Sequence, residues 1–261
     1  MSDRTSWQRA FRSGDAPTVV RALRAAWDYL VATSPDTCRP EEPEPRLTVL
    51  LGAHLHATKA DHKLTGQWSY ERPQGNVRRK TARGLHVVDR KRTDIQYFSN
   101  REDPPLDLVF EFKKLGHQKS HREHYVGENG MLRFVTGEYS LRQPLAVMVG
   151  ILVMHADDSL PPLIQWLNGP DAKTLLYMET IDGQQMRRPS SFFPAESLFD
   201  TEHLRPREKA PAHGTIVISH IFLGFPDLPR APHSTPGNKR CAMPSRVKNS
   251  PISALIQCPQ S

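Results

Sequence analysis

The sequence contains little cysteine and no apolar stretch long enough to cross a membrane. Its three cysteines, Cys38, Cys241 and Cys258, are widely spaced and form no CxxC pair, so neither a disulfide framework nor a zinc ribbon is indicated. The longest apolar run, 145–154, is well short of the roughly 20 residues that a membrane-spanning helix needs. The N-terminal residues also lack the apolar core of a signal peptide. We therefore expect a soluble, cytoplasmic protein with no membrane partner.

Two motifs of common enzyme classes are missing as well. The sequence has no GxxxxGK(S/T) phosphate-binding loop and no nucleophile elbow around a serine or cysteine. ATP use and acyl transfer by a nucleophilic side chain are therefore not indicated.

Composition and charge fit a globular chain with one basic end. With 261 residues, 38% of them hydrophobic and 24% charged, the chain can bury a sizeable core. The net charge is +7, but residues 228–261 contain five Lys or Arg and no acid. The body is thus close to neutral, and total charge alone says little about polyanion binding. We predict that 228–261 is a disordered basic tail, because it is rich in proline and lacks periodicity.

Hydrophobic periodicity predicts an α/β fold with a mixed central sheet. An N-terminal helix, 17–32, and a linker occupy residues 1–45, and a main domain spans 46–227. Its predicted elements are helix 46–59, strand 67–71, a basic, turn-rich connection at 75–83, a short apolar run at 85–88, strands 93–98 and 106–113, helix 129–137, strand 145–154, helix 158–167 with two prolines in its first turn, a weakly signalled strand 175–179, and a late strand 215–225. Strands 93–98 and 106–113 are separated by a polar turn and should form an antiparallel hairpin.

The second strand of this hairpin carries charge on one face only. In the segment LDLVFEFK, 106–113, alternation places Leu108, Phe110 and Phe112 on a core face and Glu111 and Lys113 on the other. Burying charged groups is costly unless they are paired or bind a metal. The pattern therefore singles out Glu111 and Lys113, although an exposed cross-strand charge pair would give the same alternation.

Asp94 adds a second carboxylate to the same place. In an antiparallel hairpin, Asp94 should lie opposite about Lys113 and close to Glu111. Two carboxylates and a main-chain carbonyl, which Phe112 can supply, are oxygen ligands suited to Mg²⁺ or Mn²⁺. A metal held there would polarise a phosphodiester and activate water, while Lys113 would orient or deprotonate that water or offset transition-state charge.

These residues resemble a known motif. Asp94, sixteen intervening residues and then Glu111-Phe112-Lys113 is similar to the signature of the PD-(D/E)XK nuclease superfamily, and Arg92-Thr93-Asp94 is similar to a variant of its first half. The resemblance covers roughly 45–155. It implies an αβββαβ core of the restriction-endonuclease type, Asp94 and Glu111 as metal ligands and Lys113 as the catalytic lysine. It also implies a metal-dependent endonuclease that acts on nucleic acid, with DNA favoured over RNA.

Which further acid belongs to the site stays open in the sequence. Asp107 lies four residues before Glu111 on the same face and could replace Asp94 as the motif acid, but about 13 Å of strand would separate it from Glu111. Many members of the superfamily carry an extra acid on the helix before the sheet, whereas helix 46–59 contains none. Glu44 before this helix and Glu71 on the first strand are the candidate accessory acids.

Basic residues surround the motif. Those with a candidate role in nucleic-acid binding are Arg78, Arg79, Lys80, Arg83, Arg92, Lys114, Lys119 and Arg133. Such residues would grip the phosphate backbone without reading sequence, although a solvated loop at 72–92 is an equal alternative. Arg133 could instead brace the site, and a role in capping the core is an equal alternative.

The functional alternatives follow from the same residues. One is a catalytically inactive nucleic-acid-binding or assembly module of the same fold, and another is an interaction protein whose hairpin charges are incidental. Since no separate recognition domain is evident, a nuclease effector within a larger bacterial defence or repair system is expected rather than a standalone restriction enzyme. Protein partners of that system and a second copy of the chain are then expected partners.

Overall fold

Two helices open the described part of the chain. The computed structural model describes residues 14–81, 84–101, 105–180 and 183–231, without the side chains of 72–91. Helix α1 spans Ala16–Thr33 and α2 spans Glu44–Thr58, which confirms both predicted helices. Leucines at helical spacing on α2 (Leu47, Leu51 and Leu55) are buried against the sheet, since residues three and four apart share a helix face. Helix α2 begins two residues earlier than predicted and therefore includes Glu44.

Three antiparallel strands follow. Strand β1 spans Gln67–Thr81, β2 spans Gly84–Ser99 and β3 spans Leu106–Leu115. Pairing of β2 with β3 confirms the predicted hairpin. The prediction of a turn-rich connection at 75–83 is wrong for 75–81, where the backbone continues as strand and pairs with β2. Pairing across a hairpin satisfies backbone hydrogen-bonding groups whatever the side chains are. A polar, basic composition therefore led to the wrong prediction of a loop.

The remaining elements complete the sheet and cover it. They are α3 Lys119–Val126, α4 Met131–Val135, β4 Leu145–Leu152, α5 Ala156–Leu167, α6 Pro170–Leu175, β5 Phe199–Leu204 and β6 Thr215–Leu223. The predicted strands at 145–154 and 215–225 are confirmed.

Four other predictions of secondary structure need correction. Predicted helix 129–137 is only the five-residue α4, with α3 before it. Pro161 and Pro162 lie inside α5 and not in its first turn, because α5 begins at Ala156. The predicted strand 175–179 is reduced to one bridge, between Met178 and His203. Strand β5 was not predicted, because its sequence FDTEHL is polar.

The six strands form one mixed sheet in the order β1-β2-β3-β4-β6-β5. Strands β3, β4 and β6 are parallel to one another, and the other pairs are antiparallel. Leu108, Phe110 and Phe112 pack into the core that α1 and α2 cover, while Val109 and Leu115 pack into the core on the other face with α3 to α6. The predicted alternation of β3 is therefore confirmed, and the predicted α/β class with a mixed sheet is correct.

The end of the described chain contacts the sheet and α5. Leu228 packs against both cores, the carbonyl of Pro229 accepts a hydrogen bond from the backbone of His155, and Arg230 pairs with Asp157 at 3.1 Å. Residues 228–231, which the sequence placed in the tail, are thus part of the body. The rest of the predicted tail lies outside the described residues. None of the helices within the described ranges combines the length and apolarity needed to cross a bilayer.

Candidate active site

The register of the β2–β3 hairpin brings Asp94 to Glu111. Ile95 lies opposite Phe110, so Asp94 is one residue beyond this pair, beside Glu111 and not opposite Lys113 as predicted. The Asp94 carboxylate accepts a hydrogen bond from the backbone N–H of Phe112 at 2.8 Å. This bond fixes the carboxylate between the two charged residues of β3.

Lys113 is the centre of the cluster. Its Nζ lies 2.8 Å from Oε1 of Glu111, 3.0 Å from Oε1 of Glu44 and 3.9 Å from Oδ2 of Asp94. It also donates to the carbonyl of Phe112 at 2.5 Å. The Glu111 side chain is fully buried and that of Lys113 is 11% exposed. Every residue predicted to be catalytic or to bind metal (Asp94, Glu111, Phe112 and Lys113) therefore meets at one ammonium group.

Glu44, a predicted candidate for the accessory acid, lies in this cluster. It lies in the first turn of α2, where the exposed N–H groups of a helix favour a carboxylate. Its Oε1 holds Lys113, and its Oε2 accepts a hydrogen bond from the backbone N–H of Lys114 at 3.1 Å. Both oxygens are thus fixed on the end of β3, and the N-terminus of α2 is tied to the site.

Arg133 and Tyr139 brace the buried glutamate from the other side. Arg133 lies on α4, and its Nη1 approaches Oε1 of Glu111 at 3.3 Å and donates to the Tyr139 hydroxyl at 2.6 Å. The Tyr139 hydroxyl in turn donates to the backbone carbonyl of Arg92. Arg133 is therefore a brace for Glu111, and Tyr139 connects it to β2; sequence spacing did not indicate this role of Tyr139.

Burial raises the pKa of both motif acids. Desolvation, reinforced by Asp94, raises the pKa of Glu111 from 4.5 to about 8, although Lys113 and Arg133 oppose this shift. Desolvation likewise raises the pKa of Asp94 from 3.8 to about 6, with Glu44 and Glu71 adding to it and Lys113 opposing it. Burial would lower the pKa of Lys113, but Glu111, Glu44 and Asp94 together raise it above its ordinary value. Lys113 therefore stays charged at neutral pH, and Glu111 is largely protonated below about pH 8.

Two other predicted acids lie outside the cluster. Asp107 lies opposite Phe98, four residues before Glu111 on β3, and accepts a hydrogen bond from Nε2 of Gln96 at 2.5 Å. Glu71 pairs with Arg92 at 3.0 Å and acts on Asp94 only through its charge. Of these three candidate acids, Glu44 is the one that the structure shows in contact with Lys113.

The predicted basic residues fall into three groups. Arg92 and Lys119 are exposed, and Arg92 lies two residues from Asp94. The Lys114 ammonium donates to the carbonyl of Glu42 at 3.0 Å, and Arg133 is engaged by Glu111, so both serve internal contacts. Arg78, Arg79 and Lys80 lie on β1 with side chains outside the described set, and Arg83 lies outside the described residues.

The donor atoms fit a hard divalent cation in chemical type. Carboxylate oxygens of Glu44, Asp94 and Glu111 and the Phe112 carbonyl are the ligands that Mg²⁺ or Mn²⁺ takes in proteins. Oε2 of Glu111 is buried and has no hydrogen-bond partner in the described structure, which is unusual for a buried polar atom and would be relieved by a cation. Among the described residues, however, no three acids, histidines or cysteines are arranged as a ready metal site, because the acids converge on the lysine.

Comparison with known proteins gives no relative for this chain. No family model, no curated protein and no solved structure matches it.

Proposed function

We propose that the chain is a metal-dependent nuclease that hydrolyses phosphodiester bonds, with DNA favoured over RNA and Mg²⁺ or Mn²⁺ as cofactor. The observation that carries this proposal is the meeting of Glu44, Asp94, Glu111 and Lys113 at one buried point, with 2.8–3.9 Å between Lys113 Nζ and the three carboxylates. Buried ionisable groups with strongly shifted pKa values are typical of functional sites.

The order of elements supports the same proposal. Helix α2, strands β1, β2 and β3, helices α3 and α4 and strand β4 follow one another, as expected for an αβββαβ core of the restriction-endonuclease type. Asp94 on β2 and Glu111 and Lys113 on β3 are compatible with the arrangement that the PD-(D/E)XK resemblance implies.

The residues of the site would have two roles, metal binding and stabilisation of negative charge on phosphate. A divalent cation bound here would polarise a phosphodiester and lower the pKa of a coordinated water. Glu44, Asp94, Glu111 and the Phe112 carbonyl would hold it. Because its pKa is raised, Lys113 remains an ammonium group, and we assign it to stabilising the negative charge that develops on phosphate and not to abstracting a proton. Arg133 keeps the Glu111 carboxylate in position.

A cleavage assay on supercoiled plasmid with Mg²⁺ or Mn²⁺ tests the proposal. We expect Glu111→Gln and Lys113→Met to lower the cleavage rate at least about 100-fold, since a preorganised charged group contributes two to three orders of magnitude. Asp107→Asn is the matched control, because it changes a carboxylate on the same strand outside the cluster. Unchanged cleavage by both site variants, or equal loss in Asp107→Asn, would contradict the assignment.

Calorimetric titration with Mn²⁺ separates metal binding from catalysis. We expect the wild-type protein to bind Mn²⁺ and to release protons as it does so, because Glu111 must ionise. Asp94→Asn should weaken this binding, whereas Glu71→Gln should not.

The observed pairing also favours a second candidate, a catalytically inactive nucleic-acid-binding or assembly module. Lys113 holds all three acids, and a pKa of about 8 keeps Glu111 largely protonated at neutral pH, both of which oppose metal binding. In this case the titration would show no Mn²⁺ binding while nucleic-acid binding persisted. An effector in a larger defence or repair system, with protein partners or a second copy of the chain, is compatible with either candidate.

A further inference from the structure

Strands β1 and β2 extend well past the rest of the sheet. Strand β2 pairs with β3 only from Ile95 to Ser99, but it pairs with β1 from Phe98 back to Gly84. Residues 72–81 and 84–93 thus form a two-stranded ribbon, in which neither strand has a second partner strand among the described residues. The ribbon leaves the sheet at Thr93, next to Asp94 of the candidate site.

The ribbon has the length of a groove-binding element. Its ten residues per strand correspond to roughly 33 Å at about 3.3 Å per residue, close to one helical turn of duplex DNA at about 3.4 Å per base pair. A register shift between Gly75 and Asn76 adds to the twist, which is strong in two-stranded ribbons. The major groove of B-DNA is wide enough to accept such a ribbon.

The base of the ribbon is fixed to the site. The Tyr139 hydroxyl donates to the backbone carbonyl of Arg92, and Tyr139 also accepts from Arg133, which braces Glu111. The Arg92 side chain pairs with Glu71 across the two strands at 3.0 Å and is still 70% exposed. A ligand held along the ribbon would therefore lie in a defined position relative to Asp94 and Glu111.

Positive charge is denser in this segment than elsewhere in the body of the chain. Residues 72–92 contain eight Lys or Arg and one acid, Asp89, so their net charge of +7 equals that of the whole chain. The segment has no aromatic residue and few large apolar ones, and it therefore offers little to a hydrophobic protein partner. A basic strand ribbon instead suits a polyanion.

We propose that the ribbon inserts into the major groove of duplex DNA and positions the phosphate backbone at the candidate site. This inference rests on the proposed nuclease function for the role of the site, but binding by the ribbon does not depend on catalysis. A-form RNA has a deep and narrow major groove that protein side chains do not enter, so the same geometry disfavours duplex RNA. The substrate class is accordingly double-stranded DNA, gripped largely through its phosphates.

The test is DNA binding by the full chain in a metal-free buffer with chelator, measured by fluorescence anisotropy on a duplex of about 30 base pairs. The ribbon variant carries Arg78→Gln, Arg79→Gln and Lys80→Gln. A matched control removes three positive charges elsewhere, with Lys239→Gln, Arg240→Gln and Arg246→Gln. We expect at least tenfold weaker binding for the ribbon variant, and a slope of log K against log salt that is shallower by up to about 0.9 per lost phosphate contact. The control should stay within about twofold of wild type, and circular dichroism should show both variants folded.

Two further ligands and a measurement of oligomeric mass distinguish the possible occupants of the ribbon. Duplex DNA whose cytosines carry glucosylated hydroxymethyl groups has an obstructed major groove and should bind at least tenfold more weakly to wild type. Duplex RNA of the same sequence should bind more weakly than DNA and should respond little to the ribbon substitutions. Wild-type affinity in the ribbon variant, equal binding of RNA, or a fall in oligomeric mass with unchanged DNA binding would overturn the proposal, the last by making the ribbon a protein-docking arm.

The nuclease and ribbon proposals fail separately. Glu111→Gln should keep wild-type DNA affinity while losing cleavage. Tight duplex binding that depends on the ribbon, without cleavage in Mg²⁺ or Mn²⁺, would support the ribbon and refute the nuclease. Plasmid cleavage together with DNA binding that does not depend on the ribbon would support the nuclease and refute the ribbon.

Discussion

Two of the buried polar clusters in the described part of the chain differ in how their charged groups are satisfied. In the candidate site, Glu44, Asp94 and Glu111 converge on Lys113, the pKa values of Asp94 and Glu111 are raised, and one oxygen of Glu111 has no partner in the described structure. The second cluster, the β5–β6 network, consists of Ser190, Ser191, Asp200, Thr201, His203, Ser219, His220 and Tyr125. Its polar groups are satisfied by hydrogen bonds.

Asp200 shows how the network satisfies a buried carboxylate. Its two oxygens accept hydrogen bonds from the Ser190 and Ser219 hydroxyls at 2.7 and 2.6 Å and from the backbone and hydroxyl of Ser191 at 2.6 and 3.0 Å. Four donors replace the water that burial removes. Glu111 receives only the two cationic contacts from Lys113 and Arg133, both at Oε1.

The hydrogen bonds that link Tyr125, His220, Thr201 and His203 all run in one direction, from donor to acceptor. His203 Nδ1 lies 2.8 Å from the carbonyl of Leu176, which can only accept, so Nδ1 carries the proton and Nε2 accepts from Thr201. Thr201 then accepts from His220 Nε2, and His220 Nδ1 accepts from the Tyr125 hydroxyl. Burial lowers the pKa of His203 to about 4 and that of His220 well below 6.5, and both remain neutral.

The two clusters differ in whether burial leaves polar atoms without hydrogen-bond partners. A network whose donors and acceptors all match stabilises the packing of β5 and β6. A cluster that leaves a carboxylate oxygen unpaired and shifts acid pKa values upward costs stability. Such a cost is typical of a site that is kept for chemistry.

Replacing each aspartate by asparagine tests this contrast most strongly. Asp200→Asn should lower the free energy of unfolding by about 2–4 kcal/mol, because hydrogen bonds to a charged acceptor contribute about 1.5–3 kcal/mol and the amide adds a donor among donors. Asp94→Asn should change it by less than about 1 kcal/mol, since the amide oxygen can still accept from Phe112. Urea denaturation at pH 7.5 measures both. Equal destabilisation would remove the distinction between the clusters.

The raised pKa of Glu111 predicts that the stability of the folded protein depends on pH. The pKa of Glu111 is raised from 4.5 to about 8 in the folded state, so the folded protein binds this proton more tightly than the unfolded chain. The contribution of this proton to the free energy of unfolding is complete below pH 4.5. It is lost as pH rises through about 8, at up to about 1.4 kcal/mol per pH unit. Chelator-treated wild type should therefore lose stability from pH 6 to 8, and Glu111→Gln should lose less. Parallel urea-denaturation profiles for the two proteins would contradict the raised pKa.

Two tyrosines, Tyr125 in the β5–β6 network and Tyr139 beside the candidate site, allow a matched pair of substitutions with small expected losses of stability. Tyr125→Phe removes the donor to buried His220 Nδ1 and should cost about 1–3 kcal/mol, the range for an unsatisfied buried group. Tyr139→Phe removes the link between Arg133 and Arg92 but keeps the ring under the guanidinium, and should cost about 0.5–1.5 kcal/mol. Thermal unfolding of both variants measures the difference. A larger loss in Tyr139→Phe would show that the site braces the fold more than the network does.

Local patterns in the sequence predicted much of this architecture. Helical spacing identified α1 and α2, and a continuous apolar run identified β4. Alternation in β3 separated Phe110 and Phe112 from Glu111 and Lys113, and the structure confirms that separation. Strand β5 escaped prediction because its buried positions include Asp200 and His203, whose partners come from distant segments.

Side-chain alternation and chain reversal are local properties, and they were enough to predict that Asp94, Glu111 and Lys113 belong to one hairpin. Tertiary packing brings Glu44 to them, since its contact with Lys113 spans 69 residues and depends on where α2 packs. It also decided that Asp94 lies beside Glu111, because register is set by cross-strand pairing and by the core on both faces of the sheet.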